Sequence, residues 1–266
     1  MNQLRQVTSI VQTNSPTLYR IVIIHLILGV VCLIGLMVDD NVVKDVNAWT
    51  KPLKFCISGA IYVFTVGYLT TLYPYSDRKR KIVNNTIAWA IFIEIIIITI
   101  QAFRGVQSHY NISSPIDGIL FGIMGSFIAI IVLFIALFII DTARLKLKVS
   151  RPIQVGILLG WLVVFFGSYV GGQMISQMSH NVGIPDGGEG LPIINWSTTA
   201  GDLRIAHFFG LHGIQIIPLF ALWVSNKWNT TNRNQILAIV LFALLYGGWI
   251  AFTFYQAKQG IPLIEM

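Results

Sequence analysis

Charge is what this chain has least of. Only 11% of its 266 residues are Asp, Glu, Lys or Arg, where a soluble domain carries roughly a quarter. So little polar surface cannot cover a chain in water, which excludes an ordinary soluble domain. Cysteine is almost missing too. Cys32 and Cys56 are the two present and no CxxC occurs, so neither a zinc ribbon nor a thioredoxin-like motif is indicated. HExxH and GxSxG are absent, which removes the familiar zinc-protease and serine-hydrolase signatures. The last long apolar run has no lysine in its core, and this argues against a retinal Schiff base there. No internal repeat stands out.

What is present instead is apolar length. Hydrophobic residues make up 55% of the chain, the mean hydropathy is +0.72, and runs of about 20 apolar residues recur along it, each enough to cross a hydrocarbon core. The pattern predicts an all-α integral membrane protein, a single polytopic domain over 1–266 folded as a seven-transmembrane-helix bundle. The spans fall at about 20–38, 52–72, 83–103, 116–140, 153–175, 203–224 and 234–256. The first run is too long for a signal-peptide core and lacks a small-residue cleavage site, so it is expected to be retained.

Orientation follows from Lys and Arg. With the N-terminus in the cytoplasm, twelve of them fall in inner segments and six in outer ones. Asp77-Arg78-Lys79-Arg80-Lys81 and Arg144-Leu145-Lys146-Leu147-Lys148 are the strongest inner anchors. The C-terminus is then extracytoplasmic, and the expected location is the cell (inner or cytoplasmic) membrane. Charge gathered at span ends speaks for topology and against nucleic acid. Membrane lipids and a small-molecule or lipid substrate are the expected partners.

Span entries carry helix-start chemistry: Thr50-Lys51-Pro52, Ser114-Pro115-Ile116-Asp117, Ser150-Arg151-Pro152 and Gly201-Asp202. The longest connection, the outer loop 176–202, is rich in Gly and Pro and reads as turns over Ile184–Pro192. Loops of that length in a tight bundle are often lids or binding elements. In the fifth span Gly156, Gly160, Gly167 and Gly171 fall on one stripe, and Gly118, Gly122 and Ser126 repeat the motif in the fourth. Both are read as helix interfaces, through which a homo-oligomer could also form. Cys32 and Cys56 should lie close together at similar depth, as buried free thiols. Trp49 and Trp196 read as interfacial anchors.

Polarity inside the spans is one-sided. In the inner half His25 is the one ionisable side chain away from the rim, and packing or snorkelling accounts for it. The outer half holds Glu94 near the middle of the third span, with Gln101 almost two turns on and Arg104 beyond it. A carboxylate at that depth is costly unless neutral, paired or wetted. The sixth span carries Arg204, His207, His212 and Gln215 on one broad face of a continuous helix, with His212 at about the depth of Glu94. A Glu–His pair there could relay protons or bind a ligand. His109 and His180 flank the outer end, and Met174, Met178 and His180 form a short run of soft donors. Lys51, Lys54, Arg104 and Arg204 line the outer rim, available to an anionic group or to Asp45, Asp117, Asp202 and Glu189 as partners.

Three functions compete. The first is a membrane redox or heme- or metal-linked enzyme acting on a lipophilic or anionic substrate, with Glu94, Gln101, Arg104, His207, His212 and Gln215 as working residues. Heme b or a metal ion would then be held by His109, His180 or His207, with Arg204 or Lys54 on propionates. His207 and His212 point about 140° apart on a helix, so they cannot both ligate one heme. The second is a proton-coupled small-molecule transporter using Glu94 and His212 at the midplane. The third is a lipid-binding or sensory module without chemistry. One-sided polarity favours the first, since a carrier must open to both faces.

Overall fold

Helix starts are set by local chemistry. Ser76 accepts from the Lys79 amide, Thr231 from that of Asn234 and Asp202 from that of Arg204, each satisfying a first-turn donor. Pro16 and Pro152 stand in first turns, where a missing N–H costs nothing. The computed structural model describes residues 3–188 and 190–265; Glu189, named above as an ion-pair partner, lies outside them. Among the described residues there are nine helices: α1 Gln3–Asn14, α2 Pro16–Val38, α3 Thr50–Leu72, α4 Asp77–Phe103, α5 Pro115–Arg144, α6 Arg151–Ser176, α7 Leu203–Leu211, α8 Gly213–Lys227 and α9 Asn232–Lys258. Two-stranded ribbons pair β1 (Val42–Val43) with β2 (Val46–Asn47) and β3 (Asn181–Val182) with β4 (Gly201–Asp202). Lys44 and Asp45 between the first two both have positive φ, 53° and 64°, as a two-residue hairpin turn of matching twist demands.

Six helices (α2 to α6 and α9) are long and apolar enough to cross a membrane, and α7 with α8 forms a bent pair that brings the number up to seven. The chain is thus a helical, multi-pass membrane protein by length and composition. Exposed Ile, Leu, Val and Phe side chains run along these helices, as lipid-facing surfaces require. The helices extend two to several residues past the apolar runs. α1 was not anticipated at all.

The chain divides into two compact units, one as far as Phe134 and one from Ile135 onward. In the first, α2 and α3 pack antiparallel along small-residue notches. A Cβ on Gly29 would meet Cys56, one on Gly59 would meet Ile95 and His25, and one on Gly67 would meet Val11 of α1 and Leu18. Positions fall along α2 as they rise along α3, which is the antiparallel register. Cys32 and Cys56 are buried free thiols in one cluster with Trp49 and Ile95, as expected. Trp49 departs from expectation: it is buried in the notch of Gly35 and donates Nε1–H to Asp39 Oδ2 at 2.7 Å.

In the second unit the α6 stripe is an intrachain interface. Gly156 faces Ala221, Gly160 faces Gly213 and Ile214, Gly167 faces Gly210, and Gly171 faces the His207 ring. The sixth span is not one helix. It bends by 45° between α7 and α8, with His212 capping both segments and its carbonyl accepting from the amides of Gln215 and Ile216. Gly210 and Gly213 let the backbone close on α6 on both sides of the bend, and Pro218 lies within α8.

The Gly167–Gly210 crossing can be tested. A Cβ on Gly167 would lie 2.7 Å from the Gly210 carbonyl carbon, whereas none of Gly247's surroundings reaches within 4 Å. Gly167→Ala should destabilise by about 1–3 kcal/mol through overpacking, and Gly247→Ala should be neutral or stabilise by up to about 1 kcal/mol. Thermal unfolding in detergent reads both; equal effects would refute the close approach.

Candidate functional site

The first unit presents a buried carboxylate that is only half engaged. Glu94, on α4, is 6% exposed. One of its oxygens faces His109 Nε2 at 3.8 Å, an ion-pair distance when the imidazole is protonated but too long for a hydrogen bond. The other, Oε2, is buried without a hydrogen-bond partner. The Lys51 ammonium acts on this carboxylate electrostatically and lies 5.9 Å from the Phe55 ring centre. Phe55, Tyr110 and Phe121 surround His109 with ring centroids 5.8, 6.0 and 6.5 Å away. The histidine facing Glu94 in this unit is therefore His109, reached through a loop and not by helical spacing.

Asp117 organises that loop. Its Oδ1 accepts from Gln101 Nε2 at 2.9 Å and Arg104 Nη1 at 2.7 Å, and its Oδ2 from Ser114 Oγ at 2.6 Å. Gln101 and Arg104 thus hold the start of α5 against the end of α4. Between them Asn111 accepts from the Ser113 amide and hydroxyl, and Ser108 Oγ lies 3.1 Å from His109 Nδ1. Tyr110 has φ 59°, a conformation that costs a bulky residue roughly 1–2 kcal/mol. Strain of this kind, next to the one histidine that meets a buried carboxylate in this unit, is a pointer to function.

In the second unit the outer polar groups are tied locally. Arg204 Nη2 lies 2.6 Å from Asp202 Oδ2, and it also donates to the Asn195 carbonyl. Asp202 in turn accepts from the Ser197 amide at 2.9 Å. Of the rim cations, Arg104 and Arg204 have carboxylate partners among those weighed for them; Lys54 is partly buried in the first turn of α3. His207 places Nδ1 2.8 Å from the Gly167 carbonyl, inside the groove left by Gly167 and Gly171. His212 rests on Phe208 at 4.5 Å between centroids and is within hydrogen-bonding reach of Gln215. The bend at His212 breaks the continuous wheel on which Arg204, His207, His212 and Gln215 shared a face.

Asp186, which sequence reading passed over, pins the 176–202 loop. It accepts from Ser179 Oγ at 2.6 Å and from the His180 and Asn181 amides at 3.0 and 2.9 Å. His180 Nδ1 is 3.3 Å away, while Met174, grouped with it above, is buried. The Pro185-Asp186-Gly187 turn signal could have suggested the clamp. Among the described residues no three His, Cys, Asp or Glu side chains gather as a metal-binding group. Comparison with family models, with curated proteins and with solved structures gives no match.

The loop carries its own pH dependence. Burial first, and the Arg204 charge next, lower the His180 pKa from 6.5 to about 4, against the opposing pull of Asp186 and Asp202. The unfolded loop takes up a proton near 6.5 and the folded loop resists it down to about 4. Its stability is therefore present above the upper value and lost as pH falls through the lower one. Protease nicking within 177–202 should rise across that window, and His180→Gln should flatten the rise. An acid sensitivity unchanged in the variant would contradict this.

Proposed function

We propose that the protein is a proton-handling membrane enzyme or redox protein, with Glu94 and His109 as its acid–base pair and a lipophilic or anionic small molecule as substrate. The observation that carries this reading is the unpaired Glu94 Oε2. Asp117, in the same unit, shows what a purely structural carboxylate looks like, with both oxygens hydrogen-bonded. Glu94 instead keeps one buried oxygen without a hydrogen bond, as a general acid or base held ready for a substrate proton does. Phe55, Tyr110 and Phe121 suit a planar lipophilic group, and Lys51 suits an oxygen that carries or gains negative charge.

Heme b or a metal ion belongs to the redox form of this proposal. A ligating histidine commonly gives its other ring nitrogen to a carbonyl, and His207 holds that posture on Gly167. Proton-coupled transport is the second reading, and His25 is the observation in its favour. It is fully buried, both ring nitrogens lack partners, and it sits with Ile95 against Gly59. Buried titratable groups therefore continue along the first unit beyond Glu94.

We place the N-terminus in the cytoplasm and the C-terminus outside, with α7 and α8 counted as one of seven crossings of the cell's inner membrane. Lipid is the partner of the exposed apolar faces. The α6 stripe is used within the chain, whereas Gly118, Gly122 and Gly125 of α5 leave open space where a side chain would begin. Self-association is assigned to that open stripe.

Two measurements test these assignments. Reporter tags at 78–81 and 144–148 should be cytoplasmic and a tag at 186 extracytoplasmic; a tag at 186 reached only from the cytoplasm would reverse the orientation. Infrared spectra of the purified protein should show a carboxyl band that titrates, vanishes in Glu94→Gln and shifts in His109→Gln. A band set indifferent to both substitutions would remove the acid–base reading. An absorption spectrum with metal analysis, taken on the same sample, separates the cofactor-linked form from the cofactor-free one.

A further inference from the structure

Fourteen residues along α4 from Glu94, about 21 Å at the helical rise, the first unit holds a polar cleft of ≈ 380 Å³ between the α1–α2 junction and the first turns of α4. Ser15, Thr17, Asp77, Arg80, Lys81 and Asn84 are among its lining residues. The start of α2 is left open to it. Ser15 occupies the N-cap, but its hydroxyl makes no cap and instead donates to the Gly67 carbonyl at 2.9 Å. That hydroxyl accepts from Asn84 Nδ2 at 2.8 Å. The contact fixes the carboxamide, so Oδ1 of Asn84, a residue only 3% exposed, is the end left without a partner.

Arg80 is similarly incomplete. Its side chain is 15% exposed and reaches the Tyr75 carbonyl at 3.3 Å through Nη2. It lies 3.8 Å from an Asp77 carboxylate that is fully in the open, a pairing of little strength. Its Nε is buried without a partner. The cleft therefore offers two kinds of group. Arg80, Lys81 and the open first turn of α2 favour a multiply charged anion. Asn84 Oδ1 and Asp77 are acceptors, and they require a donor.

We infer that this cleft binds a phosphate ester that also carries an amine or hydroxyl, the phosphate on Arg80, Lys81 and the α2 first turn, the donor on Asn84 Oδ1 and Asp77. A phospholipid headgroup and a free phosphorylated amino alcohol or polyol share that chemistry. Phosphate alone leaves Asn84 unsatisfied, and a phosphocholine group has no donor to give it.

The full chain in detergent is titrated calorimetrically with soluble phosphoethanolamine and phosphocholine, then with short-chain phosphatidylethanolamine and phosphatidylcholine. Ethanolamine forms should bind more tightly than choline forms, about fivefold for one hydrogen bond. Arg80→Gln should weaken the ethanolamine forms on the order of tenfold. Binding of the soluble ester identifies a solute site, and binding of the short-chain lipid alone identifies a headgroup site. Both uphold the inference. Because Arg80→Gln also removes the contact with the Tyr75 carbonyl, the headgroup preference of the unaltered protein decides: no binding, or equal affinity for ethanolamine and choline forms, overturns it.

Discussion

Helices in lipid are not driven together by water, so what holds them is close fit, and in this chain close fit means glycine. Every tight crossing described above has one at its centre. The notches do more than bring backbones together. They receive the large side chains that a smooth helix surface could not accept: Trp49 at Gly35, His25 at Gly59, His207 at Gly171. A polar ring held in such a notch is oriented by packing alone, before any hydrogen bond is formed. His207 then adds one, to a carbonyl whose helix is close enough only because Gly167 has no side chain.

Where the chain leaves the helices, aspartate takes over the organising role. Asp117, Asp186 and Asp202 each collect several donors; Asp186 and Asp202 accept backbone amides, while Asp117 gathers side chains and its own amide donates to Ser114 Oγ. Such clusters satisfy turn backbone that no helix or ribbon covers. They also set the contrast that isolates Glu94. The chain satisfies its structural carboxylates thoroughly, so a buried one with an open oxygen is an exception that the fold tolerates at a cost.

How much of this was visible in the sequence depends on what sets each feature. Apolar length and the period of the α6 glycines are properties of single helices, and both were legible. α1 was not, because two thirds of its side chains are polar and its burial rests chiefly on Val11 meeting Gly67. The bend at His212 was missed because Gly210 and Gly213 read equally well as packing positions on a straight helix. Asp117 and Asp202 were named as partners for rim cations, since each lies near one in sequence. The Glu94–His109 meeting was beyond reach: it depends on the path of a loop whose Tyr110 takes a left-handed conformation that no periodicity announces. Ser15 and Asn84, 69 positions apart, were invisible for the same reason, since each is an ordinary polar residue near a span end.

The two cysteines have a practical side. Their side chains share one buried cluster, they belong to facing helices, and neither reaches the surface. A maleimide reaches either sulfur only after the packing of α2 and α3 with Trp49 and Ile95 loosens. Alkylation in native sequence therefore times the opening of this cluster, without an introduced label.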